Sequence, residues 1–214
     1  MISARIKNID LIFETAPGLF SPNSIDAGTL AMLSVAEFLP DDKVLDLGCG
    51  YGVVGILAGK LTDENNVTMC DISEQAVEHA KINARLNSVP GIRILLSDGY
   101  ENIEDGDFTL ILSNPPYHAD FSVPKRFIET GFRKLAVGGR LVMVTKRLDW
   151  YKNKLAAVFG GVRVYEKDGY YVFVAEKRGQ GKRKKPKPSG SPSKKLRRRQ
   201  QRRNGGVNPP SPAP

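Results

Sequence analysis

Cysteine and histidine are scarce in this 214-residue chain, which has two of each: Cys49, Cys70, His79 and His118. So few thiols exclude a disulfide framework, and no Cys/His cluster has metal-ligand spacing, so no metal is expected. Each cysteine stands in an apolar strand-and-turn setting, which reads as a buried free thiol in a reducing compartment and points to the cytoplasm. The opening MISARIKNID lacks the apolar stretch of a secretory signal. No apolar run approaches the ~18 residues of a membrane span, so no membrane partner is expected. Internal repeats are absent as well. Acidic residues are missing from residue 178 onward, where 13 of the 32 basic residues and 7 of the 14 prolines fall. That stretch holds only two aliphatic residues larger than alanine, Leu196 and Val207, too little apolar surface to offset the entropy of ordering it. We read 178–214 as a disordered basic tail. Residues 1–177 keep 19 basic and 23 acidic residues, a net of −4, and are one domain's worth of chain.

The domain is organised by alternation. Apolar residues at helical spacing over 25–39 predict a helix stopped by Pro40-Asp41-Asp42. Then come a strand at 44–47, a helix at 53–61 and a strand at 67–70 ending at Asp71. Ser73 is placed to cap the next helix, which runs to about Asn87. Strands at 92–96 and 108–112 follow, then a helix over 124–135 closing at Gly138-Gly139, a strand at 141–145 and a helix over 150–159. Strands alternating with helices predict a parallel sheet covered on both faces. The end departs from that rule: 162–167 and 170–176 are separated by Asp168-Gly169 alone, a hairpin signal. Both faces of 170–176 are apolar, so this strand should lie inside the sheet, antiparallel to its neighbours. The fold class is therefore α/β, a seven-stranded, mostly parallel, Rossmann-like sheet with helices on both faces, closed by an antiparallel C-terminal hairpin.

Between the first strand and its helix lies Asp46-Leu-Gly48-Cys-Gly50-Tyr-Gly52. Glycines there let the backbone turn and approach a ligand, and the helix N-terminus behind them offers free N–H groups. The string Gly50-x-Gly52-x-x-Gly55, with Asp71 ~20 residues on, also fits a dinucleotide fingerprint, so the loop alone does not separate a nicotinamide dehydrogenase from an S-adenosylmethionine enzyme. Asp46 helps to separate them. A carboxylate there repels a pyrophosphate but accepts from the ammonium of a methionine moiety. Asp71 suits ribose hydroxyls in either case, and Asp98, at the third strand's end, suits an adenine amine.

At the fourth strand's end stands Asn114-Pro115-Pro116-Tyr117. Ligands of open α/β sheets bind at that end. Two prolines stiffen the turn and donate no backbone hydrogen bond. The Asn114 side chain and the Pro115 carbonyl are then acceptors for an exocyclic NH2, beside an aromatic ring, Tyr117, that can stack on a planar group. His118 follows and is a candidate for substrate contact, whereas His79, in mid-helix, reads as solvated or packing. Phe20 either covers the pocket or packs.

With these residues in view the chain resembles the class I S-adenosylmethionine-dependent methyltransferases across residues 10–177. DLGCGYG resembles their cofactor loop, Asp71 their ribose-binding acid, and Asn114-Pro-Pro-Tyr117 the motif of their amine-methylating branch. Pro17-Gly-Leu-Phe20-Ser21 with Asp26-Ala-Gly28-Thr29, and the late Asp168-Gly-Tyr-Tyr, resemble the 16S ribosomal RNA guanine-N2 methyltransferases and their single-domain bacterial relatives. The resemblance implies S-adenosyl-L-methionine as cofactor, held by Thr29, Asp46, Gly48, Gly50, Gly52, Asp71, Ile72, Asp98 and Asn114. It implies catalysis by Asn114, Pro115 and Tyr117, and an RNA partner met by the pocket and the basic tail. Three other readings stay open: an adenine-N6 nucleic-acid methyltransferase, a protein glutamine-N5 methyltransferase sharing the Asn-Pro-Pro-Tyr segment, and a non-catalytic RNA-binding protein on this fold.

Overall fold

Five of the expected strands lie side by side as parallel neighbours, and the order in which they do so creates the site. The computed structural model describes residues 1–115 and 121–179. Tyr117, His118 and the tail from residue 180 on lie outside the described residues. In chain order the elements are β1 (Ile2–Ile6), β2 (Ile9–Phe13), α1 (Ala27–Val35), β3 (Val44–Leu47), α2 (Val53–Leu61), β4 (Val67–Asp71) and α3 (Glu74–Leu86). They continue with β5 (Arg93–Leu96), β6 (Phe108–Ser113), α4 (Ser122–Lys134), β7 (Leu135–Thr145), α5 (Leu148–Phe159), β8 (Arg163–Lys167) and β9 (Tyr170–Glu176).

The main sheet has seven strands in the order β5-β4-β3-β6-β7-β9-β8. Strands β3 to β7 pair in parallel, while β9 pairs antiparallel with both β7 and β8. This is the expected architecture. Asp168 and Gly169 both adopt positive φ (50° and 77°), the backbone a two-residue hairpin turn requires. β9 is inserted between β7 and β8 with Val172 to Ala175 buried, so its two apolar faces each meet a core. One core packs α1, α2 and α3 against Leu110, Val142 and Val172. The other packs α4 and α5 against Leu45, Ile111, Met143 and Phe173. Each fully buried aliphatic of this kind contributes about 1.5–3 kcal/mol. The chain winds outward from β3 through β4 to β5, then crosses back to β6 on the other side of β3. That reversal opens a crevice beyond the C-terminal ends of β3 and β6.

Three local expectations are corrected. The helix over 25–39 ends at Val35: Ala36 is extended, and the Leu39 N–H is taken by Asp42 (2.8 Å), a buried carboxylate that also accepts from Thr109 and Arg140. A local side-chain acceptor outcompetes the continuing helix there. Gly138 and Gly139 do not close α4 but lie inside β7, at a bulge where the register jumps from Phe108↔Leu135 to Leu110↔Arg140. A Cβ on Gly139 would come 2.7 Å from the Phe108 carbonyl oxygen, which only glycine avoids. Finally, β1 and β2 form an unforeseen separate hairpin, turning through Lys7 and Asn8 at φ 50° and 65°. Its second strand is tied to α3 by side chains: the Asn87 amide brackets the Ile12 N–H and C=O, and Asn83 does the same for Glu14.

Candidate functional site

The crevice is a cavity of about 340 Å³, within the range of small-molecule sites. Its floor is the turn from β3 into α2. Gly48 and Cys49 both donate their N–H to the Cys70 carbonyl at 2.9 Å, clamping the turn onto the end of β4. Gly48, Gly50 and Gly52 have φ of 78°, 55° and 100°, left-handed values that disfavour any side chain. A Cβ on Gly48 or Gly50 would meet nothing within 4 Å, so the backbone here borders open space that a ligand can occupy. Gly52 and Gly55 do different work: a Cβ there would collide with Ile56 and with Met69 of β4, so these two let α2 lie close to the sheet. The four glycines therefore divide into a cavity-facing pair, Gly48 and Gly50, and a packing pair, Gly52 and Gly55, so that only Gly50 of the dinucleotide-like string faces the cavity.

Four strand ends supply polar side chains to this one cavity: Asp46 from β3, Asp71 from β4, Asp98 after β5 and Asn114 after β6. Asp46 is buried and accepts from the Gly55 N–H at 2.8 Å. Desolvation pushes its carboxyl up to about 7; the Gly55 hydrogen bond opposes this, and the nearby Asp71 charge adds to it. Such a carboxylate is poised to gain a cationic partner. Asp71 is held at both oxygens, by the Gly50 N–H (2.8 Å) and the Ser73 N–H (3.0 Å), which fixes its direction at the cavity edge. Ser73 is also the expected cap, its hydroxyl accepting from Ala76 N–H. Asp98 forms an ion pair with Arg126 of α4, a competing partner that the sequence reading lacked.

Asn114 has a mount of its own. Its amide nitrogen donates to Asp26 Oδ2 at 2.8 Å and to Thr29 Oγ1 at 3.0 Å. Asp26 is at the same time the N-cap of α1, accepting from the Thr29 N–H. The cap of one helix thereby orients the amide at the end of β6, 88 residues away in sequence. Thr29 is buried and reaches the cavity beside Asn114. Pro115 is buried on the same wall.

Apolar walls complete the cavity. Ile72 is 69% exposed at its edge, and Val123 and Phe127 of α4 line it as well. An exposed isoleucine near two apolar side chains suits a flat ring. Phe20, 51% exposed, lines the cavity from the segment before α1, so it covers the site rather than packing in the core. That segment is pinned from outside by Gln75, which donates to the Pro17 carbonyl. His79 bonds the Gln75 carbonyl and faces Glu14, away from the cavity, in the packing role its mid-helix position implied. Cys49 and Cys70 are buried free thiols. Burial pushes Cys70 up to about 12 and raises Cys49 too, so neither is a nucleophile at neutral pH.

Asp26, Val123, Phe127 and Arg126 were not foreseen as site residues. Asp26 had a signal, an aspartate just before a helical run, but its pairing with Asn114 had none. Among the described residues no group of three or more His, Cys, Asp or Glu side chains could hold a metal ion, and no helix is long and apolar enough to cross a membrane.

Comparison with known proteins agrees with this fold. The methyltransferase small domain family matches residues 10–174. The ribosomal RNA small subunit methyltransferase C of Serratia proteamaculans is 33% identical over 184 residues, covering 82% of this chain and 52% of that protein. YbxB of Bacillus subtilis, described as uncharacterized, is 32% identical over 181 residues, covering 82% of this chain and 90% of that protein. Among solved structures, the T. thermophilus 16S rRNA N2 G1207 methyltransferase (RsmC) in complex with AdoMet and guanosine superposes with a TM-score of 0.75 at 27% identity, over 83% of this chain and 50% of that one. The chain thus spans about half the length of the ribosomal RNA methyltransferases it matches. By its glycine loop, its sheet and the 10–174 match, this chain belongs to the methyltransferase small domain family.

Proposed function

We propose that the protein is an S-adenosylmethionine-dependent N-methyltransferase acting on an exocyclic amine of a base in RNA, guanine-N2 of ribosomal RNA being the target the relatives favour. The observation that carries this reading is the Asp26–Thr29–Asn114 mount beside the glycine turn. Asp26 and Thr29 hold the Asn114 amide by its nitrogen and so fix its orientation; the amide oxygen is an acceptor by chemistry, the polarity an NH2 group requires. The T. thermophilus relative, solved in complex with AdoMet and guanosine, supports the same pairing of ligands.

The residues fit the cofactor. Gly48 and Gly50 leave space for it, and Asp46 would accept from its ammonium. Asp71 would accept from its ribose hydroxyls. Ile72, Val123 and Phe127 would flank its adenine, with Asp98 accepting from the adenine amine. When bound, S-adenosylmethionine would supply an electrophilic methyl group. Asn114 Oδ1 and the Pro115 carbonyl would hold the target amine and aim its lone pair, while Tyr117 stacks on the base. The amine nitrogen becomes cationic, and its N–H acidic, only once it has gained the methyl group; the proton then leaves to solvent, so these residues need to accept hydrogen bonds and not to act as a base before attack. Rate enhancement then comes from positioning, an effect worth ~7–11 kcal/mol in favourable cases. A base inside a helix does not reach such a pocket, so the substrate is an unpaired or flipped nucleotide. The basic segment 178–214 is proposed to hold RNA by charge, and the cytoplasm is the proposed location.

The test is to incubate the protein with labelled cofactor, total RNA and ribosomal subunits and to analyse the labelled nucleosides. Label in N2-methylguanosine is expected. Label in N6-methyladenosine or in protein would replace this reading by one of its alternatives.

A further inference from the structure

The described residues are divided by charge. Residues 1–115 hold 7 basic and 17 acidic side chains, a net of −10, whereas 121–179 hold 13 basic and 5 acidic ones, a net of +8. The two stretches meet at several ion pairs, Asp98–Arg126 and Asp42–Arg140 among them, so the cations that stay clear of a carboxylate partner are the ones to consider as a phosphate-binding surface. At the C-terminal rim of the sheet, within the basic stretch, lies an aromatic cluster. The register Ser113↔Met143 puts Lys146 and Arg147, just past β7, beside the Asn114 end of β6. There the Phe121 ring stacks on Trp150 (centroids 4.5 Å apart, planes 24° apart), with the Arg147 guanidinium carbon 4.9 Å from the Phe121 centroid. Lys146 lies over Tyr170 at 4.8 Å. Phe121 remains 38% exposed, and Lys146 and Arg147 are exposed. Asp149 is the acidic side chain in the first turn of α5, and Glu129 is already paired with Lys154.

A part-exposed ring stack edged by an exposed guanidinium and an ammonium group has the elements of a single-strand platform, on which bases stack while phosphates meet the cations. We propose that Phe121, Arg147 and Trp150, with Lys146, form the seat for unpaired RNA nucleotides flanking the target base. This rests on the RNA reading above. It adds a surface outside the residues that line the cofactor cavity, where the exposed Lys146 and Arg147 can meet phosphates.

Trp150 is the only tryptophan of the chain, so its fluorescence reports this seat directly. The full-length protein is titrated with a single-stranded RNA of about 12 nucleotides, a length within the usual single-strand site sizes, and with polyglutamate at equal charge. Base stacking should quench Trp150 with RNA and not with polyglutamate. Arg147→Gln and Trp150→Leu should each raise KM for RNA about tenfold, the scale of one lost stacking contact. Both should leave kcat and S-adenosylhomocysteine affinity unchanged. Bound RNA without quenching, equal quenching by polyglutamate, or an unchanged KM would each overturn the proposal. The two readings fail separately: quenching without guanine methylation leaves the platform standing and removes the activity, while methylation without quenching does the reverse.

Discussion

The two stretches of the chain handle opposite problems. Residues 1–115 carry a net of −10, use left-handed glycines after β3 to bring backbone close to a small ligand, and offer carboxylates at the ends of β3, β4 and β5. Residues 121–179 carry +8 and present rings and cations just past β7. On the proposed function, a cationic cofactor and a polyanionic substrate would have conflicting electrostatic needs, which carboxylates at the ends of β3 to β5 and cations past β7 would meet at separate places. Whole-domain charge hides this: the net of −4 over residues 1–177 is the near cancellation of two strong and opposite halves. Asn114, at the reversal itself, belongs to both.

Perturbing that boundary residue should have the largest effect. Asn114→Ala is expected to lower kcat/KM by 10²- to 10³-fold, the scale of removing one preorganised polar group, with S-adenosylhomocysteine affinity nearly unchanged. A near wild-type rate would detach the amide from the reaction. On the basic side, truncation after Lys177 removes 13 positive charges. If the intact chain neutralises about six phosphates of single-stranded RNA, its logarithmic salt slope is ~−4 and affinity falls ~250-fold between 50 and 200 mM salt. The truncated protein should bind more weakly with a shallower, non-zero slope from the rim. Identical salt series in filter binding would leave the tail without a part in RNA capture.

On the acidic side Asp71→Ala should weaken S-adenosylhomocysteine by roughly 1.5–3 kcal/mol, the worth of a charged hydrogen bond, and leave RNA binding intact. Calorimetry decides, and unchanged affinity would put the ribose elsewhere. The smallest effect is a pH dependence confined to this side. Asp46, buried, has its carboxyl raised to about 7, so the folded protein favours its proton. The stability this confers is complete below the unfolded value near 4 and is lost as pH rises through about 7. Ligand binding runs the other way. An ammonium prefers the ionised carboxylate, so affinity should climb by up to tenfold per pH unit below about 7 and then level off. Asp46→Asn should flatten both profiles; a pH-independent wild-type affinity would exclude contact between Asp46 and the ammonium.

Much of the cofactor side was legible because its signals are local. The Asp46–Gly52 turn, Ser73 as a cap and Asp168-Gly169 as a hairpin each depend on residues a few positions apart, where backbone sterics and neighbouring hydrogen bonds decide. The Gly138-Gly139 pair was misread because the same residues serve a helix stop and a bulge. What distinguishes the two is the Phe108 carbonyl on a neighbouring strand. The hairpin at Ile2–Phe13 turns through lysine and asparagine rather than glycine, and its anchoring asparagines lie on α3, some 70 residues on.

Composition and period alone determined that this chain folds as a covered α/β sheet with a glycine turn at one strand end and an acceptor-rich turn at another. Those properties follow from propensities and steric rules that act within a few residues. Only tertiary structure decided that Asp26 holds Asn114, that Arg126 competes for Asp98, and that Arg147 and Trp150 meet Phe121 past the end of β7. Each of these is a contact or separation between distant segments, set by strand order and by the burial of two cores, and no local pattern encodes it.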